Sequence, residues 1–354
     1  MKKYKICKIL LVILAIFLCV AFYELLGICV AYKKQPEVSN TTKKETKNGS
    51  WNECSENTER AVIIEKNPEA LLQRVRLIKN AKKEIILSTF AFQSDESGKL
   101  ILGALHDAAD RGVHIRLLVD GMESWIDMEG NPYFYGLSSH ENVEIKLYNK
   151  ANPLKPWKMM GRMHDKYLIA DGKRYILGGR NTYNYFLGDF PGHKNYDRDV
   201  LVVCDEPEKE NSVNQLLEYF ETIWEQEDSG YFHDNKKLAN RKSVKNAVLE
   251  LQNGYQKYFE ENKERICDTD YTDETFETEK IALVSNPIHT GSKEPVVWYQ
   301  LGELMKNAKN RVKIHTPYII CNDMMYNTWE EIAENVSDFS IMTNSVANNG
   351  NPFG

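Results

Sequence analysis

The 354 residues carry 45 Lys/Arg against 51 Asp/Glu, with 42% hydrophobic residues, 20 Gly and 11 Pro; this composition excludes a disordered, collagenous or disulfide-scaffold chain and fits about two folded domains. Charge is unevenly spread: residues 1–60 hold ten Lys/Arg and six Asp/Glu, which leaves 35 against 45, a net of −10, on the remaining 294. An acidic body is a poor footprint for non-specific nucleic-acid binding, which neutralises phosphates with cations, and it argues against a nucleic-acid partner.

The first predicted element is a membrane span. From Ile9 to Tyr32, 15 of 24 residues are Leu, Ile, Val or Phe, each favouring insertion by about 0.3–0.6 kcal/mol, which outweighs the about 3 kcal/mol expected for the single acid, Glu24. At about 1.5 Å per residue the run reaches about 36 Å, more than a hydrocarbon core of about 30 Å. Lys2, Lys3, Lys5 and Lys8 also suit the start of a signal peptide, but the run is too long for one and no small-residue cleavage pattern closes it. Residues 1–32 are therefore expected to be a signal anchor. Four lysines precede the span and Lys33 and Lys34 follow it, so the N-terminus is assigned to the cytoplasm and the bulk of this single-pass, cell-membrane protein to the outside. Cys7, Cys19 and Cys29 fall in or beside the span as small apolar residues; Cys54, Cys204, Cys267 and Cys321 show no zinc spacing, and a Cys54–Cys267 disulfide is conceivable outside the cell.

Residues 33–59, rich in Lys, Glu, Asn, Ser and Thr, read as a polar tether. Folded sequence begins at residue 60. Strands are predicted at 61–64, 84–92, 113–120, 143–148, 166–170, 175–178 and 200–204, and helices at 68–80, 98–111 and 208–225. Alternating helices and buried strands define an α/β fold, a mixed sheet flanked by helices, over a first lobe at 60–205. Gly112, between a helix and an apolar strand, has the place of an αL cap. Residues 206–280 are charged and polar with helical patterning at 214–225 and 244–265, which suggests a helical connector, and the acidic stretch Asp268 to Thr278 reads as a solvated loop. Then the sequence repeats itself. "LIKNAKKEIILST" from Leu77 matches "LMKNAKNRVKIHT" from Leu304 at an offset of 227, with six identities, and "AVIIEKNP" at Ala61 is echoed by "IALVSNPI" at Ile281. Residues 281–354 are thus expected to begin a second, duplicated lobe that stops early.

Chemistry concentrates in "MHDKYLIADGKRYILGGRN", Met163 to Asn181, where His164, Lys166 and Asp171 form HxKxxxxD. In an extended strand His164 and Lys166 point to one face. An imidazole can serve there as nucleophile or proton carrier, and a lysine beside it offers a fixed charge to a phosphate oxygen. Asn181 can donate its amide to the same oxygens, and Gly178 and Gly179 allow close backbone approach. A phosphodiester is the natural target. No metal is expected, because Lys166 would repel a cation and no second His or carboxylate has ligand spacing to His164. Trp125, Tyr133, Phe134, Tyr135 and Trp157 form an aromatic-rich stretch, read first as packing with a lipid-facing surface as the alternative.

The string "RMHDKYLIADGKRYILGGRN" resembles the HKD motif of the phospholipase D superfamily, most closely its bacterial cardiolipin synthase branch. "SGKLILGALHDAADRGVHIRLLVDG" from Ser97, "NVEIKLYN" from Asn142 and "YDRDVLVV" from Tyr196 look like the family's surrounding segments. The resemblance implies two lobes, each bringing one HKD motif to a shared site: one histidine forms a phosphohistidine, and the other protonates the leaving alcohol and activates the acceptor, without metal or cofactor. It implies His164, Lys166 and Asp171 as the catalytic set, with Asp171 more a supporting partner than a direct participant. Lys166, Asn181 and Gly179 are implied to hold phosphate, and Asp197, or else Asp199, to orient the histidine. The implied partners are the membrane and a phospholipid such as phosphatidylglycerol, with phosphatidyl transfer as the reaction. Hydrolysis of phospholipid headgroups, a dimeric nuclease and an inactive truncated homologue are the alternatives. The repeat offset places a second motif near position 391, so it is expected from a missing C-terminal part.

Overall fold

A computed structural model of the chain describes residues 2–49, 59–207, 211–233 and 236–345; Cys54 lies outside them. They divide into two compact units, the first from 2–34, 59–283 and 288–292, the second from 35–49, 284–287 and 293–345.

In chain order, α1 (Lys2–Tyr32) and α2 (Asn40–Asn48) precede β1 (Arg60–Ile64), α3 (Asn67–Asn80), β2 (Glu84–Thr89), α4 (Glu96–Asp110), β3 (His114–Asp120), α5 (Gly121–Asp127), α6 (Pro132–Ser138) and β4 (Val143–Tyr148). Then follow β5 (Lys166–Ala170), β6 (Arg174–Gly178), β7 (Asp199–Val203), α7 (Ser212–Trp224), β8 (Ser229–Tyr231), α8 (Lys242–Glu261), α9 (Lys263–Cys267) and β9 (Phe276–Glu277).

The first unit is one mixed sheet in the order β8-β4-β3-β2-β5-β6-β7-β1-β9. β2, β3 and β4 are parallel, while β5 runs antiparallel to β2 and the strands beyond it stay antiparallel. Period-two alternation divides the apolar residues between the faces. Ile85, Leu87, Ile115, Leu117, Leu168, Ile176 and Leu201 enter the core that α3, α4, α6 and α8 cover. Ile86, Leu118, Tyr167, Ile169, Tyr175 and Val202 enter a second core closed by Leu216, Phe220 and Trp224 of α7. Asp95 caps α4 by accepting the Gly98 N–H (3.0 Å), and Gly112 takes the expected left-handed turn at φ 88 on the way into β3.

Four stretches depart from their reading in the sequence. The polar residues after the anchor form α2, capped where Ser39 accepts the Thr42 N–H (3.1 Å), and Glu294 holds both Ser39 and Thr42. The charged stretch after β7 packs into the first unit, because α8 keeps Leu251, Tyr255 and Phe259 on one buried face. The acidic loop after α9 is clamped by the buried Arg76, which donates to the carbonyls of Asp268 and Asp270 and to Glu274 (2.6–2.9 Å) and lies 3.9 Å from the Tyr271 ring centre. Residues 281–284, which echo the β1 sequence, have no regular structure.

The second unit contains α10 (Val296–Lys306), β10 (Arg311–His315), α11 (Asp323–Asn335) and β11 (Asp338–Met342), with β10 and β11 parallel around Val312, Ile332 and Val336. Its order of helix, strand, helix, parallel strand is that of α3, β2, α4 and β3. β10 starts 227 residues after β2, and α11 starts 227 after α4.

α4 and α8 approach so closely at Gly103 that a Cβ there would lie 2.7 Å from the Leu251 carbonyl oxygen and 2.7 Å from Tyr255 Cβ. Backbone atoms cannot swing aside as a side-chain tip can. Gly103→Val is therefore expected to lower unfolding free energy by about 1–3 kcal/mol in urea titrations; an unchanged midpoint would show that the two helices do not pack there.

Candidate active site

The strand order gathers the sequence-predicted residues at one end of the sheet. β2 and β3 deliver Phe90 and Asp120 at their C-terminal ends. β5, antiparallel to β2, starts at that same end, with Lys166 opposite Thr89. β6 returns to it, so Gly178, Gly179 and Asn181 arrive there, and β7 begins beside them with Asp199 opposite Gly178. Asp171 lies beyond the other end of β5, five residues away, which at about 3.3 Å per residue is about 17 Å.

Phe90 is the hub. The His164 ring meets it edge-on, centroids 4.6 Å apart and planes at 63°, while Lys166 Nζ and the Arg162 guanidinium lie 5.3 Å and 4.9 Å from its centre. Cations over an aromatic face are attracted by its negative quadrupole. β5 begins at Lys166, so His164 sits in the preceding loop and not on the strand face expected for it; Lys166 curls back so that Nζ donates to the His164 carbonyl oxygen (2.7 Å). Asp165, between them, points away and accepts from the Tyr219 hydroxyl of α7 (2.7 Å).

The loop is held from β3. The buried Asp120 carboxylate accepts the Met163 N–H (3.1 Å) and the Arg162 guanidinium (2.7 Å), and also caps α5 through the N–H groups of Met122 and Glu123. Arg162 pairs further with Glu123 (3.0 Å). These contacts fix the backbone on the N-terminal side of His164.

Electrostatics follow from burial and neighbours. His164 titrates at about 4, below the usual histidine value, because protein atoms displace water around it and because Lys166 and Arg162 oppose a further positive charge; Asp120 acts in the other direction. His164 is an exposed residue, which tempers desolvation and leaves the two cations pushing the same way. Lys166, buried, is lowered to about 8 by desolvation, with Asp165, Asp197 and Asp120 working against it. Near neutral pH the pair is a neutral imidazole beside a charged ammonium.

The glycines serve the carboxylates. A Cβ on Gly179 would collide with the Asp197 carboxylate, and one on Gly178 with Asp199. Asp199 is fully buried and pairs with Arg74 (2.9 Å) and Arg180 (3.2 Å), whose guanidinium also donates to the carbonyls of Ile64 and Glu65. Asp197 accepts the Arg198 N–H (2.7 Å), and its charge reaches Lys166. The Asn181 amide oxygen accepts the Ala91 N–H (3.2 Å), which directs its amide nitrogen elsewhere. Asp171, at φ 55, accepts the N–H groups of Lys82, Lys83 and Glu84 (2.7–3.1 Å) and ties the β5–β6 turn to the start of β2. His164, Lys166, Gly179, Asn181, Asp197 and Asp199 are thus brought together, and Asp171 is not. Phe90, Asp120 and Arg162 were missed by sequence reasoning; the Arg that opens "RMHDK" and the Asp that ends an apolar strand were the available signals. Among the described residues no group of three or more His, Cys, Asp or Glu could hold a metal ion.

Residues 74–224 match the family model described as "Cardiolipin synthase, PLD-like domain". This domain belongs to the phospholipase D superfamily. Among similar curated proteins, an uncharacterized protein of Helicobacter pylori strain 26695 is 28% identical over 315 residues, 81% of this chain and 59% of its own length. Cardiolipin synthase C of Escherichia coli K12 is 29% identical over 171 residues, 44% of this chain and 34% of its own. The chain thus spans about three-fifths of the length of the Helicobacter relative and about a third of the Escherichia one. The phosphatidylserine synthase structure from Haemophilus influenzae Rd KW20 superposes with a TM-score of 0.55 at 16% identity, covering 86% of this chain and 66% of that one, a likeness of fold. The phospholipase D-like domain has its candidate site at the sheet end where its parallel strands finish.

Two of its aspartates should separate by stability. Removing Asp199 leaves two buried guanidinium groups uncompensated, so Asp199→Ala is expected to cost about 3–5 kcal/mol. Asp171→Ala removes a cap on exposed backbone, at about 1–2 kcal/mol. Chemical denaturation of both variants checks the order, and equal losses would contradict these placements.

Proposed function

We propose that the protein is a membrane-anchored enzyme of the phospholipase D superfamily that transfers phosphatidyl groups in the manner of a cardiolipin synthase, with His164 as the nucleophile. The observation that carries this reading is the His164 ring set edge-on against Phe90, with the Lys166 and Arg162 cations over the same Phe90 ring. A neutral imidazole has a lone pair for phosphorus, and Lys166 supplies positive charge to the non-bridging oxygens as negative charge grows there.

The chemistry runs in two displacements. A His164 ring nitrogen attacks phosphorus, a P–N bond forms, and the P–O bond to the leaving alcohol breaks as that oxygen takes a proton. An acceptor hydroxyl then attacks phosphorus, gives up its proton and breaks the P–N bond, which returns His164 to its neutral form. Lys166 and the Asn181 amide hold the phosphate oxygens, Asp197 sets the charge balance around Lys166, and the Gly179 N–H is committed to the Arg198 carbonyl (3.4 Å). We assign the proton for the leaving alcohol to the histidine of a second such motif. The four elements from α10 to β11, in the order of α3, β2, α4 and β3 and starting 224–229 residues after them, support reading residues 281–354 as part of a second lobe.

Lipid is preferred to nucleic acid for two reasons: the chain has a helix long and apolar enough to cross a membrane, Ile6–Tyr32, and a body of net charge −10. Phosphatidylglycerol, with a free hydroxyl on its headgroup, can serve both as donor and as acceptor. Asp171, remote from the ring, is given a supporting role.

In vesicles containing phosphatidylglycerol, His164→Ala is expected to lose at least about 10³-fold in lipid turnover; full turnover by this variant, or cleavage of oligonucleotides with the lipid left intact, sinks the reading. The pH profile follows from the same two groups. His164 must be neutral, so kcat/KM falls as pH drops through about 4, and Lys166 must be charged, so it falls again as pH rises through about 8. A profile that rises with an ordinary histidine pKa near 6.5 contradicts the cation-flanked ring.

A further inference from the structure

The last turns of α1 are docked onto the first unit. From Ile6 to Val20 every residue is exposed, whereas Ala21, Glu24, Gly27, Ile28, Ala31 and Tyr32 are partly covered, a spacing of three and four that lies along one helical face. Part of that face meets the loop between β4 and β5. A Cβ on Gly27 would come within 2.5 Å of the Pro156 ring, and the Tyr23 hydroxyl donates to the Leu154 carbonyl (3.1 Å). Nearer the helix end, the Tyr32 hydroxyl donates to the Thr290 carbonyl (2.6 Å), and the Ser292 hydroxyl to that of Ala31 (3.0 Å).

Helix length sets the depth of this contact. The apolar helix has 27 residues, about 40 Å at 1.5 Å each, some 10 Å more than a hydrocarbon core. If the excess emerges on the side of the catalytic unit, the hydrocarbon boundary falls near Leu25 to Gly27, the level at which Leu154 and Pro156 touch the helix. The loop suits that level. Leu154 is 78% exposed, Met160 58% and Trp157 45%, a rare density of open apolar side chains beside a strand end. Tryptophan is favoured where a bilayer meets water. Among these residues stand Lys150, Lys155 and Lys158, two of which are anchored within the first unit, Lys150 on the Tyr231 carbonyl and Lys158 on Asp228 (2.7 Å). Apolar side chains interleaved with lysines match a surface of anionic lipid. The loop then runs through Gly161 and Arg162 into His164.

We infer that residues 150–160 form a membrane-docking surface: Leu154, Trp157 and Met160 enter the lipid interface beside the anchor, and Lys150 and Lys155 face anionic headgroups. The inference rests on reading α1 as a membrane anchor and deepens the proposed function, because it puts the HKD histidine a few residues from the bilayer. Docking and catalysis can nevertheless fail separately.

The test uses the full chain in phosphatidylcholine vesicles with and without phosphatidylglycerol. Flotation reads the anchor, and quenching of tryptophan fluorescence by lipids brominated on their acyl chains reads docking. The wild type should float and be quenched, more strongly with phosphatidylglycerol present. Trp157→Phe should float equally and lose the larger share of the quenching, whereas Trp224→Phe, which removes a buried ring, should keep it. Leu154→Asp, an exposed change that spares the fold, should weaken quenching at unchanged flotation, and Lys155→Glu should remove most of the gain from phosphatidylglycerol. Flotation with the same quenching in wild type, Trp157→Phe and Leu154→Asp overturns the docking surface alone. A chain that stays with the soluble fraction overturns the anchor and the docking surface together. A wild type that is quenched as expected but turns over no phosphatidylglycerol speaks against the catalytic reading and leaves docking supported.

Discussion

The antiparallel pairing of β5 against β2, with Lys166 opposite Thr89, is the constraint on which the rest of the site depends. Parallel β2, β3 and β4 finish at one end of the sheet, and a fourth parallel strand would have delivered the motif at the other end. Reversing β5 starts the motif where β2 and β3 stop, so Phe90, Asp120 and His164, far apart in sequence, become neighbours. A slip of one residue would exchange the faces of β5, sending Leu168 and Ala170 out of the core covered by α3 and α4 and Tyr167 and Ile169 out of the one closed by α7. The register is therefore secured by both cores before any catalytic side chain is considered.

That arrangement explains how a histidine next to a lysine and an arginine can be useful. In water the three groups would simply repel. Here Asp120 holds Arg162 and the Met163 N–H, Lys166 is fastened to the His164 carbonyl, and Phe90 presents its ring to both cations and its contact to the imidazole. The fixed charges lower the proton affinity of the imidazole while standing ready for an anion. In the proposed reaction a phosphodiester entering between them would relieve the repulsion, so that the substrate's own charge would complete the electrostatic balance.

Much of the first unit was legible in the sequence, since its strands are short apolar runs with period two: β4 and β5 have the predicted bounds, α3 starts one residue early and ends as predicted, and α4 starts two residues early and ends one early. Less legible were α5 and α6, seven residues each, which depend on side-chain caps from Asp120 and Asn131 more than on any apolar period. α8 was visible as a helix but not as part of the core, because its buried face is one residue in four amid lysine and glutamate. At the site, the spacing of HxKxxxxD brought out His164 and Lys166, yet the same spacing suggested a partnership with Asp171 that the length of β5 prevents. Phe90 could not be read locally, as its role exists only once β2 and β5 are side by side.

In the proposed mechanism His164 forms the covalent bond to phosphorus. Rapid acid quenching of the full-length protein during turnover of phosphatidylglycerol, followed by peptide mass analysis, tests it directly. A phosphatidyl adduct on the peptide that carries His164, absent from His164→Ala, is the predicted result. Turnover with no adduct, or with the adduct on another residue, would contradict it.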